Sequence, residues 1–152
     1  MEEGRRMTAE TLLVTVPFGQ LKRLLPDFMV YQDPFFSSLH RLENSPIVAI
    51  NLWFDREISQ ADFVGFWGTR IQWLFNKGRL LGGKPYVSLV VSGAREELKT
   101  PGPELTSLAL EELRALLPAV RGARLIHSLV LKEPEATMAP SIGVSRWRLP
   151  QK

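Results

Sequence analysis

The run Pro46 to Asp55, Pro-Ile-Val-Ala-Ile-Asn-Leu-Trp-Phe-Asp, is the longest stretch in the chain rich in β-branched and aromatic residues. Such a stretch reads as a central strand. Side chains alternate along a strand, so Val48, Ile50, Leu52 and Phe54 share one face and Ile47, Ala49, Asn51 and Trp53 the other. The first face is wholly apolar and predicts a core. The second mixes a large aromatic, a small residue and an amide, which suits a cavity wall or the inside of a subunit contact.

At 152 residues, with 45% hydrophobic and 23% charged residues, the chain has room for one domain with a substantial core. The net charge of +3 is a small excess of 19 basic over 16 acidic residues, without a basic stripe. A nucleic-acid partner is therefore not expected. The absence of cysteine excludes disulfides, thiolate metal sites and cysteine catalysis. No apolar run reaches membrane-spanning length, and the start Met-Glu-Glu-Gly-Arg-Arg lacks the apolar core of a signal peptide. The expected compartment is the cytoplasm.

Upstream, Thr11 to Val16 is a short apolar strand ended by Pro17, with no partner strand before it. It is expected at a sheet edge or paired with another copy of the chain. Short helices are expected over Gly19 to Pro26 and over Pro34 to Glu43, the latter behind Asp33 as its cap. Downstream, Ile71 to Asn76 and Tyr86 to Ser92 read as strands, with Ile71, Trp73 and Phe75 on one face of the first. Short links between them argue for an antiparallel meander. Pro103 opens a strong helix to Leu117, and Arg124 to Glu133 is a fourth main strand with Leu125, Leu129 and Leu131 on one face. The fold expected is α+β: a mostly antiparallel sheet of about four main strands with a long helix on one face.

Chemical motifs are sparse. Gly78-Arg-Leu-Leu-Gly-Gly-Lys84 spells most of a phosphate loop, but Pro85 stands where Ser or Thr should bind magnesium. A strand, not a helix, is expected to follow it, so the segment reads as a strand connection. His40 and Glu43 do not make a metal site. His127, on an apolar strand face, reads as a packed core histidine. No G-x-S-x-G or G-x-G-x-x-G occurs. Trp53, Phe66, Trp67, Trp73 and Phe75 read either as plain core or as the wall of an apolar ligand site, and pattern leaves both open.

Ser45 to Asp55, Ile71 to Asn76, Tyr86 to Ser92 and Val130-Leu-Lys-Glu-Pro-Glu-Ala-Thr137 carry more than pattern. Their order and spacing resemble the squalene-associated, FAD-dependent desaturases, or hydroxysqualene dehydroxylases, relatives of phytoene desaturase in the flavin amine oxidase superfamily. Thr8 to Pro17 is similar to that superfamily's T-A-D-x-V-V-x-A-V-P strand. Such enzymes begin with a strand–G-x-G-x-x-G–helix for FAD and close with a segment starting A-G-D, and this sequence has neither. The resemblance thus implies an internal piece of a longer flavoenzyme: residues 1–32 as part of the FAD-binding domain, 33–145 as the substrate-binding domain, and 146–152 as a cut tail.

By the same resemblance the substrate is an apolar isoprenoid such as squalene, hydroxysqualene or phytoene. The implied substrate-lining residues are Asn51, Trp53, Trp73, Phe75 and Tyr86; no catalytic, cofactor-binding or metal-binding residue is assigned. The expected partners are the FAD-binding segments of the same protein and, through open sheet edges, a second copy of the chain. A peripheral membrane position stays open for the full-length parent. The alternative is a non-enzymatic binding or oligomerisation module. FAD belongs to the parent, because the protein must supply the binding and orientation of a flavin. The chain alone is expected to be inactive. When purified, it should show no stoichiometric flavin band in its visible spectrum, and such a band would contradict the reading.

Overall fold

The computed structural model describes residues 8–149. They fall into two compact units: residues up to Leu42 together with those from Gly143, and Glu43–Ile142.

The larger unit is built on the central run. β1 (Asn44–Phe54) lies between β4 (Tyr86–Ser92) and β5 (Leu125–Met138), with β2 (Phe63–Gly65) and β3 (Trp73–Asn76) beyond β4. The five-stranded sheet has the order β2-β3-β4-β1-β5, and every pairing is antiparallel. Val48, Ile50, Leu52 and Phe54 are buried, as their alternation requires. They meet Val87, Leu89 and Val91 from β4 and Leu74 from β3. A helix (Gly102–Leu116) sends Leu105, Ala109 and Leu113, one helical turn apart, into the same core. Burying a leucine of this kind stabilises by roughly 1.5–3 kcal/mol. The α+β expectation holds, with β2 added as a fifth strand.

Several local expectations need correction. Ile71 does not share a face with Trp73 and Phe75. It precedes β3 and is buried in the core, while Trp73 is 44% exposed. β5 runs beyond Glu133 to Met138. A register shift where β5 passes Pro134 to Ala136 accommodates the proline, which an edge strand tolerates. A second shift, with Phe54 opposite Leu125 but Trp53 opposite His127, flips the strand's alternation. Leu125 therefore packs on the core, while Leu129 and Leu131 face away from it. His127 is exposed, not a packed core histidine.

The phosphate-loop letters fold as a short helix (Lys77–Leu81) whose cap, Asn76, accepts from the backbone N–H of Arg79 at 3.2 Å. Gly82 takes the left-handed conformation (φ 66°) at the helix end. Gly82 and Gly83 thus close a helix rather than open one, the reverse of a phosphate cradle.

In the smaller unit, helices span Phe18–Leu24 and Asp27–Gln32. The second was not foreseen, because Pro26 reads as a stop but stands at the N-cap. The helix expected over Pro34 to Glu43 is a turn followed by a 3-10 segment, Ser37–Arg41. The Asp33 carboxylate does accept from the Phe35 N–H there, at 2.7 Å. Thr11 to Val16 forms no strand; Leu12 and Leu13 are 82% and 85% exposed. An apolar run without a partner strand has nowhere to place its backbone hydrogen bonds.

The asymmetry between the two sheet faces is measurable. Leu89→Ala, on the covered face, should lower the unfolding free energy in urea by about 2–5 kcal/mol. Leu129→Ala, on the open face, should lower it by about 1 kcal/mol or less. Equal losses would contradict the assignment of faces.

Candidate functional site

The face of the sheet turned away from the helix carries all the residues expected to line the substrate. In antiparallel pairs opposing residues point the same way, so the register defines rows across the sheet. One row runs Phe63–Phe75–Ser88–Asn51–Leu129, through all five strands. The next runs Gly65–Trp73–Val90–Ala49–Leu131, and a third, shorter one is Tyr86–Trp53–His127. Phe63 is 63% exposed and Leu129 and Leu131 about half exposed, so this face is open over its outer strands.

The five expected residues form two groups. Trp53 and Tyr86 stack almost parallel, with ring centroids 4.4 Å apart, and His127 approaches Trp53 at 5.1 Å. The Tyr86 hydroxyl donates to Asn51 Oδ1 at 2.7 Å, and Asn51 Nδ2 donates to the Leu129 carbonyl at 3.2 Å. Asn51 is buried and satisfied on both ends of its amide, so it ties β4 to β5 across β1. Trp73 and Phe75 form the second group, with centroids 6.3 Å apart and Lys77 over the Phe75 ring. Ser88, Val90 and Ala49 lie between the two groups.

Phe63, Leu129, Leu131 and His127 belong to this face and were not assigned to it from the sequence. Phe63 lies on β2, whose three residues are too few to show an alternation. The other three depend on the alternation flip beside Trp53, which leaves no mark in composition. Of the aromatics weighed as a possible wall, Phe66 packs against the core and Trp67 is almost fully exposed.

At the end of this face lies a cleft of about 510 Å³ lined by Trp53, Phe54, Asp55, Lys84, Pro85, Ile126 and His127. Asp55 is committed at its rim. Both oxygens accept from the Arg56 guanidinium at 3.2 Å, and Oδ1 also accepts from the backbone N–H of Arg124 at 3.0 Å. The Arg56 bonds first, then the Arg124 amide, hold its carboxyl below the ordinary value of 3.8. Among the described residues there is no group of three metal-ligating side chains and no helix long and apolar enough to cross a membrane.

A family model described as flavin containing amine oxidoreductase matches residues 1–150. The chain belongs to this family. Among curated members, the 15-cis-phytoene desaturase of Synechococcus elongatus is 23% identical over 97% of this chain and 33% of its own length. That of Capsicum annuum is 22% identical over all of this chain and 28% of its own. The chain thus spans about a third of the length of the curated relatives it matches. The solved structure named "Putative protoporphyrinogen oxidase", from Exiguobacterium sp. 255-15, superposes with a TM-score of 0.64. It is 16% identical and covers 88% of this chain and 32% of its own, a likeness of fold.

The family's flavin must be tested against these residues. A flavin dinucleotide needs a strand, a glycine turn and a helix N-terminus for its diphosphate. The sequence has no such glycine spacing, the sheet is antiparallel throughout, and the Gly82–Gly83 turn leaves a helix instead of entering one. The described residues do not supply that cradle, and no chemical step is assigned to them through a flavin.

The Asp55 clasp makes a pH prediction. A depressed carboxyl stabilises fully above its unfolded pKa and loses that contribution as pH falls through the folded one. Asp55→Asn should thus be less stable than the native chain by a constant gap from about pH 7 to about pH 4, closing below that. Thermal unfolding across this range checks it, and a gap that widens in acid would contradict it.

Proposed function

We propose that the chain is the substrate-binding portion of an FAD-dependent oxidoreductase acting on an apolar isoprenoid such as squalene, hydroxysqualene or phytoene. The observation that carries this reading is the open sheet face, with Phe63, Trp73, Phe75, Leu129 and Leu131 outward on outer strands. A hydrocarbon offers almost nothing to hydrogen-bond. Its affinity must come from buried apolar area, at roughly 25 cal/mol per Å². An aromatic and aliphatic wall suits such a ligand, and the polar groups inside it suit it too, because Asn51 and Tyr86 satisfy each other and claim nothing from the ligand. The phytoene desaturase relatives favour the same substrate class.

In this reading the FAD-binding segments of the same protein are the partner that completes the active site, and the chain by itself is inactive. The protein residues position and desolvate the hydrocarbon; none is assigned as acid or base.

The test is Trp73→Ala with Phe75→Ala in the complete flavoenzyme, reading folding and turnover together. Both rings lie at the exposed side of the sheet, so the fold should persist while kcat/KM falls roughly tenfold or more from lost apolar contact. Unchanged turnover would overturn the proposal. So would unfolding with a loss of about 3–5 kcal/mol, the cost of truncating a core aromatic.

A further inference from the structure

The smaller unit holds a second cleft of about 510 Å³, and its charge is one-sided. Arg41, Arg146 and Arg148 line it around Trp147, with Ser37 and Ser38, and among the described residues no carboxylate lines it. Arg41 lies over the Trp147 ring with its guanidinium carbon 4.4 Å from the centroid, and Arg146 approaches the same ring at 5.6 Å. Arg146 Nε also donates to the Gly143 carbonyl at 3.0 Å. Gly143 has φ 78°, and a Cβ there would collide with the Arg146 guanidinium. Only glycine permits this fold-back.

None of these three arginines makes an ion pair among the described residues, whereas Arg56, Arg70 and Arg79 each meet a carboxylate. Like charges gathered in one cleft repel. Here two of them are fixed by an aromatic ring and a backbone carbonyl, which orient a guanidinium without neutralising it. The Ser37 and Ser38 hydroxyls donate to the backbone oxygens of Pro34 and Phe35, which leaves arginine N–H groups as the charged donors facing the cleft. Planar guanidinium forks pair with phosphate oxygens two at a time. Three cations match the charge of a terminal diphosphate, while a carboxylate would answer only one.

We propose that this cleft is a binding subsite for the terminal diphosphate, or phosphate, of a small ligand, held by Arg41, Arg146 and Arg148. It stands independently of the hydrocarbon wall, which lies in the other unit.

The experiment is calorimetric titration of the 152-residue chain with inorganic pyrophosphate at low salt. Saturable binding of one ion per chain is expected, weakened by added salt. Arg148→Gln, which leaves the Trp147 stack intact, and Arg41→Gln should each weaken it roughly tenfold, the scale of a lost hydrogen bond between charged groups. Arg114→Gln, on the helix of the larger unit, should not, and circular dichroism should be unchanged in all three. Phosphatidylcholine vesicles with and without phosphatidic acid separate the sources. Arg148-dependent binding to the acidic vesicles, without pyrophosphate binding, identifies a lipid headgroup as the phosphate. Absence of saturable binding to either probe, or an equal loss in Arg114→Gln, overturns the proposal. So does FAD binding more tightly than pyrophosphate with the same arginine dependence, since the cleft would then belong to the cofactor.

Discussion

Strand β1 commits its backbone hydrogen bonds on both sides, to β4 through Ile47 to Trp53 and to β5 through nearly its whole length. A strand fixed between two neighbours presents two faces that must each be satisfied separately. One is satisfied inside the unit: Val48, Ile50 and Leu52 are fully buried under the helix that contributes Leu105, Ala109 and Leu113. Among the described residues of this unit, nothing comparable closes the other. Once the helix has chosen its face, the register carries that choice outward to β3 and β2, and Trp73 and Phe63 are left exposed. The candidate site is thus a consequence of how the core was built.

The polar groups on the open face follow the same logic. A buried amide in an apolar surface costs free energy unless it is paired. Asn51 is paired twice, by the Tyr86 hydroxyl and the Leu129 carbonyl. Tyr86 is then held flat against Trp53. One hydrogen-bonded residue therefore sets the attitude of two rings, and the wall keeps its apolar character. At the end of β1 the Asp55 carboxylate clasps the start of β5 through the Arg124 amide, which fixes the strand beside the cleft.

What the sequence made legible was whatever rests on local period. β1, β4 and the helix from Gly102 each sustain a single periodicity, and their buried faces could be written down from it. The gathering of Asn51, Trp53, Trp73, Phe75 and Tyr86 on one face followed from the same alternation. Legibility failed where a non-local event intervened. One extra residue of β5 beside Trp53 separates Leu125 from Leu129 and Leu131 and turns His127 outward, and only pairing with β1 reveals it. Ile71 joined the wrong face because the strand starts after it, at Trp73. Thr11 to Val16 has the composition of a strand, but a strand needs a partner, which composition does not provide. Pro26 was read as an end and serves as a beginning, since proline is compatible with both ends of a short helix.

The central claim is that an apolar ligand lies against the open face and not within the core. Photolabelling the complete flavoenzyme with a diazirine-bearing isoprenoid, followed by peptide mass spectrometry, tests it most directly. The account predicts adducts on the strands carrying Trp73–Phe75 and Leu129–Leu131, suppressed by unlabelled substrate. Competable adducts confined to the helix Gly102–Leu116, with none on those strands, would contradict it.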